Sequence, residues 1–287
     1  MEFKFTKMHG LGNDFIVVDN RENNLEFDDK DKIKNICNRR FGVGADGILE
    51  ILSIDDPDYD FEIIIHNSDG SEAEMCGNGI RCIAHYIKEY NLTEKMKLSL
   101  KTKAGKIIPE IMEYNKDQKS AIISVNLGKP ELKNENLAID LPEIKKDSYI
   151  LNQKLLIDGR EYKFNMVSMG NPHAVIFFNE DIDELNWKDI GSKIEKNPLF
   201  PEKTNVEFAT KINNNKIKLN VWERGAGATL ACGTGAAATV VAASLNNLVD
   251  RKALVELPGG NLQVEWNDDG VYIKGESRLV FNGIINV

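Results

Sequence analysis

Met75-Cys76-Gly77-Asn78-Gly79 and, much further along, Ala231-Cys232-Gly233-Thr234-Gly235 decide how this sequence reads. Each is a lone cysteine followed by Gly-x-Gly, and each runs into a helix-like segment, 80–90 and 236–248. A thiol just ahead of a helix sits where the dipole and the free backbone N–H groups favour its thiolate. The same N–H groups can bind a carboxylate. One such stretch points to a reactive cysteine; two point to a matched pair of bases.

Outward from the two motifs, the halves of the chain echo each other. Gly12-Asn13 heads the apolar run Phe15-Ile16-Val17-Val18, and Gly170-Asn171 heads Ala174-Val175-Ile176-Phe177-Phe178, an offset of 158 from Asn13 to Asn171. The cysteines are offset by 156, and the turns Ala104-Gly105 and Gly259-Gly260 by 155. Landmarks in one order at nearly constant spacing mark an internal duplication. Strand patterns are expected over 3–7, 15–19, 48–52, 61–66, 97–101, 121–126 and 279–286, and helices over 29–39, 80–89, 189–194 and 235–248. The expected fold is α+β: two similar domains related by a pseudo-two-fold, each a mainly antiparallel sheet wrapped around a central helix. The active site is expected in the interdomain cleft. The halves are expected at 1–125 and 126–275, with 276–287 returning to the first and the polar stretch 128–147 carrying the crossing. Helix 235–243 is small and apolar on every face, the mark of a helix buried all round, so it would aim Cys232 at an interior site.

Composition narrows the possibilities. With 45 acidic against 36 basic residues the formal net charge is −9, which argues against a nucleic-acid partner. No apolar run approaches the roughly 20 residues that span a bilayer. The start, Met1-Glu2-Phe3-Lys4, has no secretory pattern, so a reduced, cytoplasmic chain is expected. None of the four cysteines forms Cys-x-x-Cys, Cys76 and Cys82 are oddly spaced for zinc, and the four histidines make no HExxH pattern. No metal is expected. Cys37 and Cys82 lie on apolar helical stripes and read as inert. Phe41-Gly42-Val43-Gly44-Ala45-Asp46-Gly47 matches the dinucleotide fingerprint literally, but it follows a helix and precedes a strand, the reverse of the required order.

The chemistry follows from the pair. A thiol titrates near about 8.5, so it can take or give a proton near neutrality. A thiolate and a thiol on opposite faces of a carbon, one removing and the other delivering a proton, invert a stereocentre. Helix N-termini at an α-carboxylate would stabilise the developing carbanion with no cofactor.

Here the residues carry a resemblance. Met8-His9-Gly10-Leu11-Gly12-Asn13-Asp14-Phe15, Asn67-Ser68-Asp69-Gly70-Ser71, and Glu74 through Cys82 resemble the diaminopimelate epimerase family. Gly170-Asn171-Pro172-His173, and Glu223-Arg224-Gly225-Ala226-Gly227-Ala228-Thr229 through Gly235, continue the likeness across essentially the whole chain. The resemblance implies a cofactor-independent, cytoplasmic homodimer that interconverts LL- and meso-diaminopimelate on the way to lysine and peptidoglycan precursors. It implies Cys76 and Cys232 as the proton donor–acceptor pair, and Gly77, Asn78, Gly233 and Thr234 around the α-carboxylate. It further implies that Asn13, Asn67, Asn171, Asn205, Glu223 and Arg224 grip the substrate, with His173 as an auxiliary. Arg224 would suit the distal carboxylate as a two-pronged donor. Where some members carry a substrate-contacting Gln this chain has Gly47, so that contact is absent or replaced.

Read as structure alone, the asparagines are turn formers and Glu223-Arg224 a surface ion pair. The rival is a proline or hydroxyproline racemase, which shares the paired cysteines. It carries His in place of Asn78 and Asp-x-x-Pro in place of residues 228–231. A thiol-disulfide sensor is the reading from another class; bridging of Cys76 and Cys232 is expected as inactivation.

Overall fold

The structure, a computed structural model, describes residues 2–286. The expected outer limits of the halves, Met1 and Val287, lie outside the described residues. It is a mixed fold of many strands and four α-helices. The chain separates into two compact units: residues through Asn126 with those from Lys274 onward, and Leu127–Ile273.

In the first unit, strand Glu2–Gly10 turns back through Leu11 and Gly12, both at positive φ, into Asn13–Asp19. A short helix, α1 (Lys30–Cys37), then crosses to Gly47–Leu52, which lies parallel to Asn13–Asp19 in the register Phe15 to Gly47 and Val17 to Leu49. Phe61–Asn67 pairs antiparallel beside it. Helix α2 (Gly77–Glu89) makes the next crossover, to the parallel strand Leu100–Thr102. On the other side, Gly270–Asn286 pairs with Glu2–Gly10 and with Ser120–Asn126, which pairs in turn with Glu110–Asn115. Backbone bonds from Leu98 to Pro109 (3.0 Å) and from Ile111 to Met96 (2.7 Å) bring the far edge back. The sheet therefore closes around α2, which is buried at every position from Gly77 to Ile87.

Successive side chains of a strand point to opposite faces, and the burial of strand 13–19 shows both faces covered. Ile16, Val18 and Ile48 pack with Ile33 and Ile36 of α1 in one cluster. Leu49 points the other way, to Gly79 at the start of α2.

The second unit repeats this plan. Arg160–Ser168 pairs antiparallel with Pro172–Phe178, and α3 (Trp187–Glu195) crosses to the parallel strand Asn205–Asn213, in the register His173 to Asn205 and Val175 to Glu207. Lys216–Glu223 lies antiparallel beside it; α4 (Gly233–Leu245) then crosses to the parallel Lys252–Leu257, which pairs with Gly260–Asn267. Ala174, Ile176, Val206 and Phe208 share a core with Ile194 of α3. Val175 and Glu207 face the opposite way, toward α4.

The elements differ from the sequence expectation mainly at their ends. α2 and α4 start at Gly77 and Gly233, earlier than expected, because Cys76 and Cys232 themselves cap them. α4 stops at Leu245 because Asn247 turns left-handed, at φ 56°. α1 stops at Cys37, where Asn38 turns extended and its side chain takes the N–H groups of Arg40 and Phe41. Lys97 makes an isolated bridge to Glu110, and the strand proper is Leu100–Thr102. The polar stretch 128–147 is not a free crossing: Leu137, Ile139, Leu141 and Ile144 pack onto the core of the second unit.

Candidate active site

Each unit holds one of the two candidate cysteines at the start of its buried helix. Cys76 is the N-cap of α2, and its Sγ accepts the Gly79 N–H at 3.5 Å. Cys232 is the N-cap of α4, and its Sγ accepts the Gly235 N–H at 3.3 Å. In most helices a Ser, Thr, Asp or Asn oxygen fills this role. A sulfur there gives a weaker cap but a nucleophilic atom, held at the end of the dipole.

Around Cys76, Asn13 is the organising residue. Its Oδ1 accepts from Asn78 Nδ2 (3.0 Å) and faces Cys76 Sγ at 3.8 Å, while its Nδ2 donates to Asp46 (2.7 Å). Arg39 bridges Asp46 and Asp14, and Lys7 bonds Asp14 and the Gly44 carbonyl. Those cations hold the Asp14 carboxyl down at about 2, against a desolvation that pushes it up. Arg81 is wholly buried in the first turns of α2; its Nη2 donates to Asn78 Oδ1 at 2.8 Å and its Nε has no partner. Among the described residues no carboxylate lies within ion-pair reach of it, so its cation faces the cysteine end of the helix largely uncompensated. Asn67 Nδ2 donates to Ser71 Oγ (2.9 Å). At Gly47 a Cβ would stand 2.3 Å from the His66 carbonyl, so this backbone leaves no room for a side chain.

Around Cys232 the partners differ. Thr234 Oγ1 lies 3.5 Å from the sulfur and 3.4 Å from Asn171 Nδ2. Asn171 Oδ1 lies 2.9 Å from His173 Nε2, and His173 Nδ1 lies 2.7 Å from Glu207 Oε1. His173 and Glu207 are both fully buried, and Glu207 Oε2 has no hydrogen-bond partner. Burial pushes the Glu207 carboxyl up, opposed by His173. Asn205 ties the Pro172 carbonyl (2.9 Å) to the Arg224 N–H (2.9 Å). Arg224 extends outward, its guanidinium bonded to the Glu202 carbonyl at 3.1 Å. Glu223 accepts from Thr229.

The expected lowering of a helix-capping thiol does not hold at Cys232. Burial, with the Glu223 and Glu207 carboxylates nearby, pushes this thiol well above its ordinary value, and the Thr234 and Gly235 contacts oppose that only in part. Desolvation and like charge outweigh the dipole. Cys37 and Cys82 are pushed up to about 11 and about 12 by burial.

Within each unit the structure therefore groups Asn13, Cys76, Gly77 and Asn78, and Asn171, His173, Cys232, Gly233 and Thr234. Asn205, Glu223 and Arg224 cluster beside the second group, and Asn67 lies at the end of its strand opposite Gly47. Sequence reading missed Arg81, Asp46 and Glu207. Each is a lone charge in an apolar or glycine-rich run, which was the available signal. Among the described residues no group of His, Cys, Asp and Glu has the arrangement of a metal site.

Each unit wraps a sheet around a buried, cysteine-capped helix. The chain has the fold of a hydroxyproline epimerase from Agrobacterium vitis solved with trans-4-hydroxy-L-proline (TM-score 0.72, 12% identity, covering 99% of this chain and 92% of that one). It likewise shares the fold of a PhzF-family phenazine biosynthesis protein from Bacillus anthracis (TM-score 0.70, 15% identity, 100% of both chains). Identities this low establish the fold alone. Sequence is more specific: the family model described as diaminopimelate epimerase matches residues 5–133 and 165–280. The diaminopimelate epimerase of Halothermothrix orenii is 46% identical over 99% of this chain and 98% of its own length. A chloroplastic one from Oryza sativa subsp. japonica is 43% identical over 97% of this chain and 79% of its own. The chain belongs to the diaminopimelate epimerase family.

Proposed function

We propose that this protein interconverts LL- and meso-2,6-diaminopimelate by a two-base, cofactor-independent mechanism in lysine and peptidoglycan-precursor synthesis. The observation that carries it is the matched pair of cysteine caps, each on the buried helix of its own unit and each bonded to the N–H three residues on. One thiolate takes the α-proton; the other thiol delivers a proton to the opposite face. Negative charge developing at the α-carbon delocalises into the α-carboxylate, held by the N–H groups of Gly77, Asn78, Gly233 and Thr234. Asn13, Asn67, Asn171, Asn205 and Glu223 bind the rest of the substrate, and Arg224 takes the distal carboxylate.

The same reading has residues 1–125 and 126–275 as pseudo-two-fold-related halves, completed by 276–287, with the cysteines facing one substrate across a cleft. It has the protein working as a cytoplasmic homodimer. No described helix is long and apolar enough to cross a membrane. Oxidation that bridges Cys76 and Cys232 inactivates it. Asn78 and the stretch 228–231, together with a substrate bearing charges at both ends, favour diaminopimelate over proline.

Purified protein given LL-diaminopimelate should produce the meso isomer, resolved by chiral chromatography, and Cys76→Ala and Cys232→Ala should each abolish conversion. Conversion of proline with none of diaminopimelate would replace this reading with the racemase one.

A further inference from the structure

The two halves differ most at one place. Counting from the matched turns Gly12-Asn13 and Gly170-Asn171, His173 stands where the first half has Phe15. The parallel registers put Glu207 two residues beyond Asn205, where the first half has Leu49 two residues beyond Gly47. The contacts agree: a Cβ on Gly79 would meet Leu49 Cδ2 at 3.0 Å, and one on Gly235 would meet Glu207 Oε1 at 2.8 Å. An aromatic–aliphatic pair in one half has become an imidazole–carboxylate pair in the other, at the same depth under the helix start.

Stability does not account for this change. Leu49 and Glu207 are both fully buried, and the first half shows that the frame packs with Leu in that place. A buried carboxylate with one unpartnered oxygen carries a desolvation cost that an apolar side chain avoids. What Glu207 does is hold His173: its Oε1 lies 2.7 Å from Nδ1, while Nε2 faces Asn171 at 2.9 Å, and Asn171 leads through Thr234 to Cys232.

We propose that Glu207 is a positioning residue that accepts the Nδ1–H of His173. The bond fixes the ring's proton on Nδ1 and turns Nε2 toward Asn171 and the Cys232 end of the site. In the neutral ring Nε2 is then the basic nitrogen and an acceptor. The Asn171 amide is therefore turned over, its Nδ2–H donating to Nε2 and its Oδ1 accepting from the Thr234 hydroxyl, an exchange of amide oxygen and nitrogen that leaves every heavy-atom position in place. The Glu223 carboxylate is the other acidic group beside Cys232. The ring-proton assignment stands by itself; its bearing on turnover rests on the epimerase reading.

The test is 15N-resolved NMR of the imidazole nitrogens in the full-length, substrate-free protein, with His173→Asn to assign the signal among four histidines. The neutral ring should carry its proton on Nδ1 in wild type and in Glu207→Gln, whose carbonyl can still accept. In Glu207→Leu the proton should move to Nε2 or be shared. Glu207→Leu should melt no lower than wild type, yet lose kcat by about 10²-fold, the low end of what a positioned proton-transfer group contributes. Its KM should stay within about twofold, and Glu207→Gln should restore most of kcat. A wild-type ring without a proton on Nδ1 overturns the proposal, as does an unchanged nitrogen pattern in Glu207→Leu. If Glu207→Leu does not fold, the frame needs the carboxylate and the stability argument fails. Absence of diaminopimelate turnover with the expected nitrogen pattern would fault the epimerase reading and leave the positioning role standing.

Discussion

Alanine substitution of the two equivalent helix-start glycines, Gly79 and Gly235, should have opposite effects on stability. In a helix interior Ala is favoured over Gly by about 1 kcal/mol, so propensity predicts two stabilised proteins. Packing separates them. A Cβ at position 79 would meet the flexible end of Leu49, Cδ2 at 3.0 Å, with Cys76 Cβ at an ordinary 3.6 Å. Leu49 can give by the few tenths of an ångström required, so Gly79→Ala should be neutral or stabilised by up to about 1 kcal/mol. At position 235 the Cβ would stand 2.8 Å from Glu207 Oε1 and 3.2 Å from Cys232 Sγ. Glu207 cannot yield in the same way, being fully buried and tied to His173 at 2.7 Å. Overpacking of this kind costs about 1–3 kcal/mol, leaving a net loss of about 0–2 kcal/mol once propensity is set against it. At about 2–4 °C per kcal/mol, Gly235→Ala should melt lower than Gly79→Ala by calorimetry, and up to about 8 °C below wild type. It should also lose kcat by about tenfold or more, because the displaced sulfur is a reacting atom. Equal melting shifts for the two variants, or a stabilised Gly235→Ala with full activity, would refute the reasoning.

Other expectations follow from buried groups. His85 is fully buried, and desolvation lowers it from 6.5 to about 4. Its contribution to stability is therefore complete above pH 6.5 and is lost as pH falls toward 4. Over that window His85→Leu should show a flatter melting-temperature curve than wild type; parallel curves would show that His85 does not titrate as described. Cys37 and Cys82 should resist iodoacetamide in the native protein and react only in denaturant, read by peptide mass spectrometry. Native labelling of either at a rate matching Cys76 would contradict their burial. Arg81→Met removes a buried cation close to Cys76 and should slow alkylation of Cys76 at pH 7 several-fold, since a neighbouring cation favours the reactive thiolate. An unchanged rate would mean that its charge does not reach the sulfur.

The duplication was legible because it rests on turn and helix-start chemistry, which is local. Gly12-Asn13 and Gly170-Asn171 do open equivalent strands, and both Cys-Gly-x-Gly motifs do start buried helices. Helix α4 read correctly as buried because Ala and Val fill every face. What stayed hidden depends on which distant group arrives at a given point. Glu207 lies between Val206 and Phe208 in sequence, and nothing local says that its side chain meets His173. Arg81 sits in an apolar helical stretch and reads as an irregularity until α2 is seen to be enclosed by its sheet. At Cys232 the dipole argument was sound for an exposed helix end, but the chain buries this sulfur beside two carboxylates. The stretch 128–147 looked like a linker because of its prolines and charges, and its four spaced apolar residues proved decisive.

A single turnover of LL-diaminopimelate in heavy water tests the two-base chemistry most directly. The thiol that delivers the second proton has exchanged with solvent, whereas the abstracted proton stays on the opposite sulfur. The meso product should therefore carry deuterium at the inverted α-carbon while recovered LL substrate keeps protium. Cys76→Ala and Cys232→Ala should each stop that labelled product from forming. Transfer of the original proton into the product, or labelled product formed undiminished by both variants, would contradict a mechanism in which Cys76 and Cys232 act as one pair.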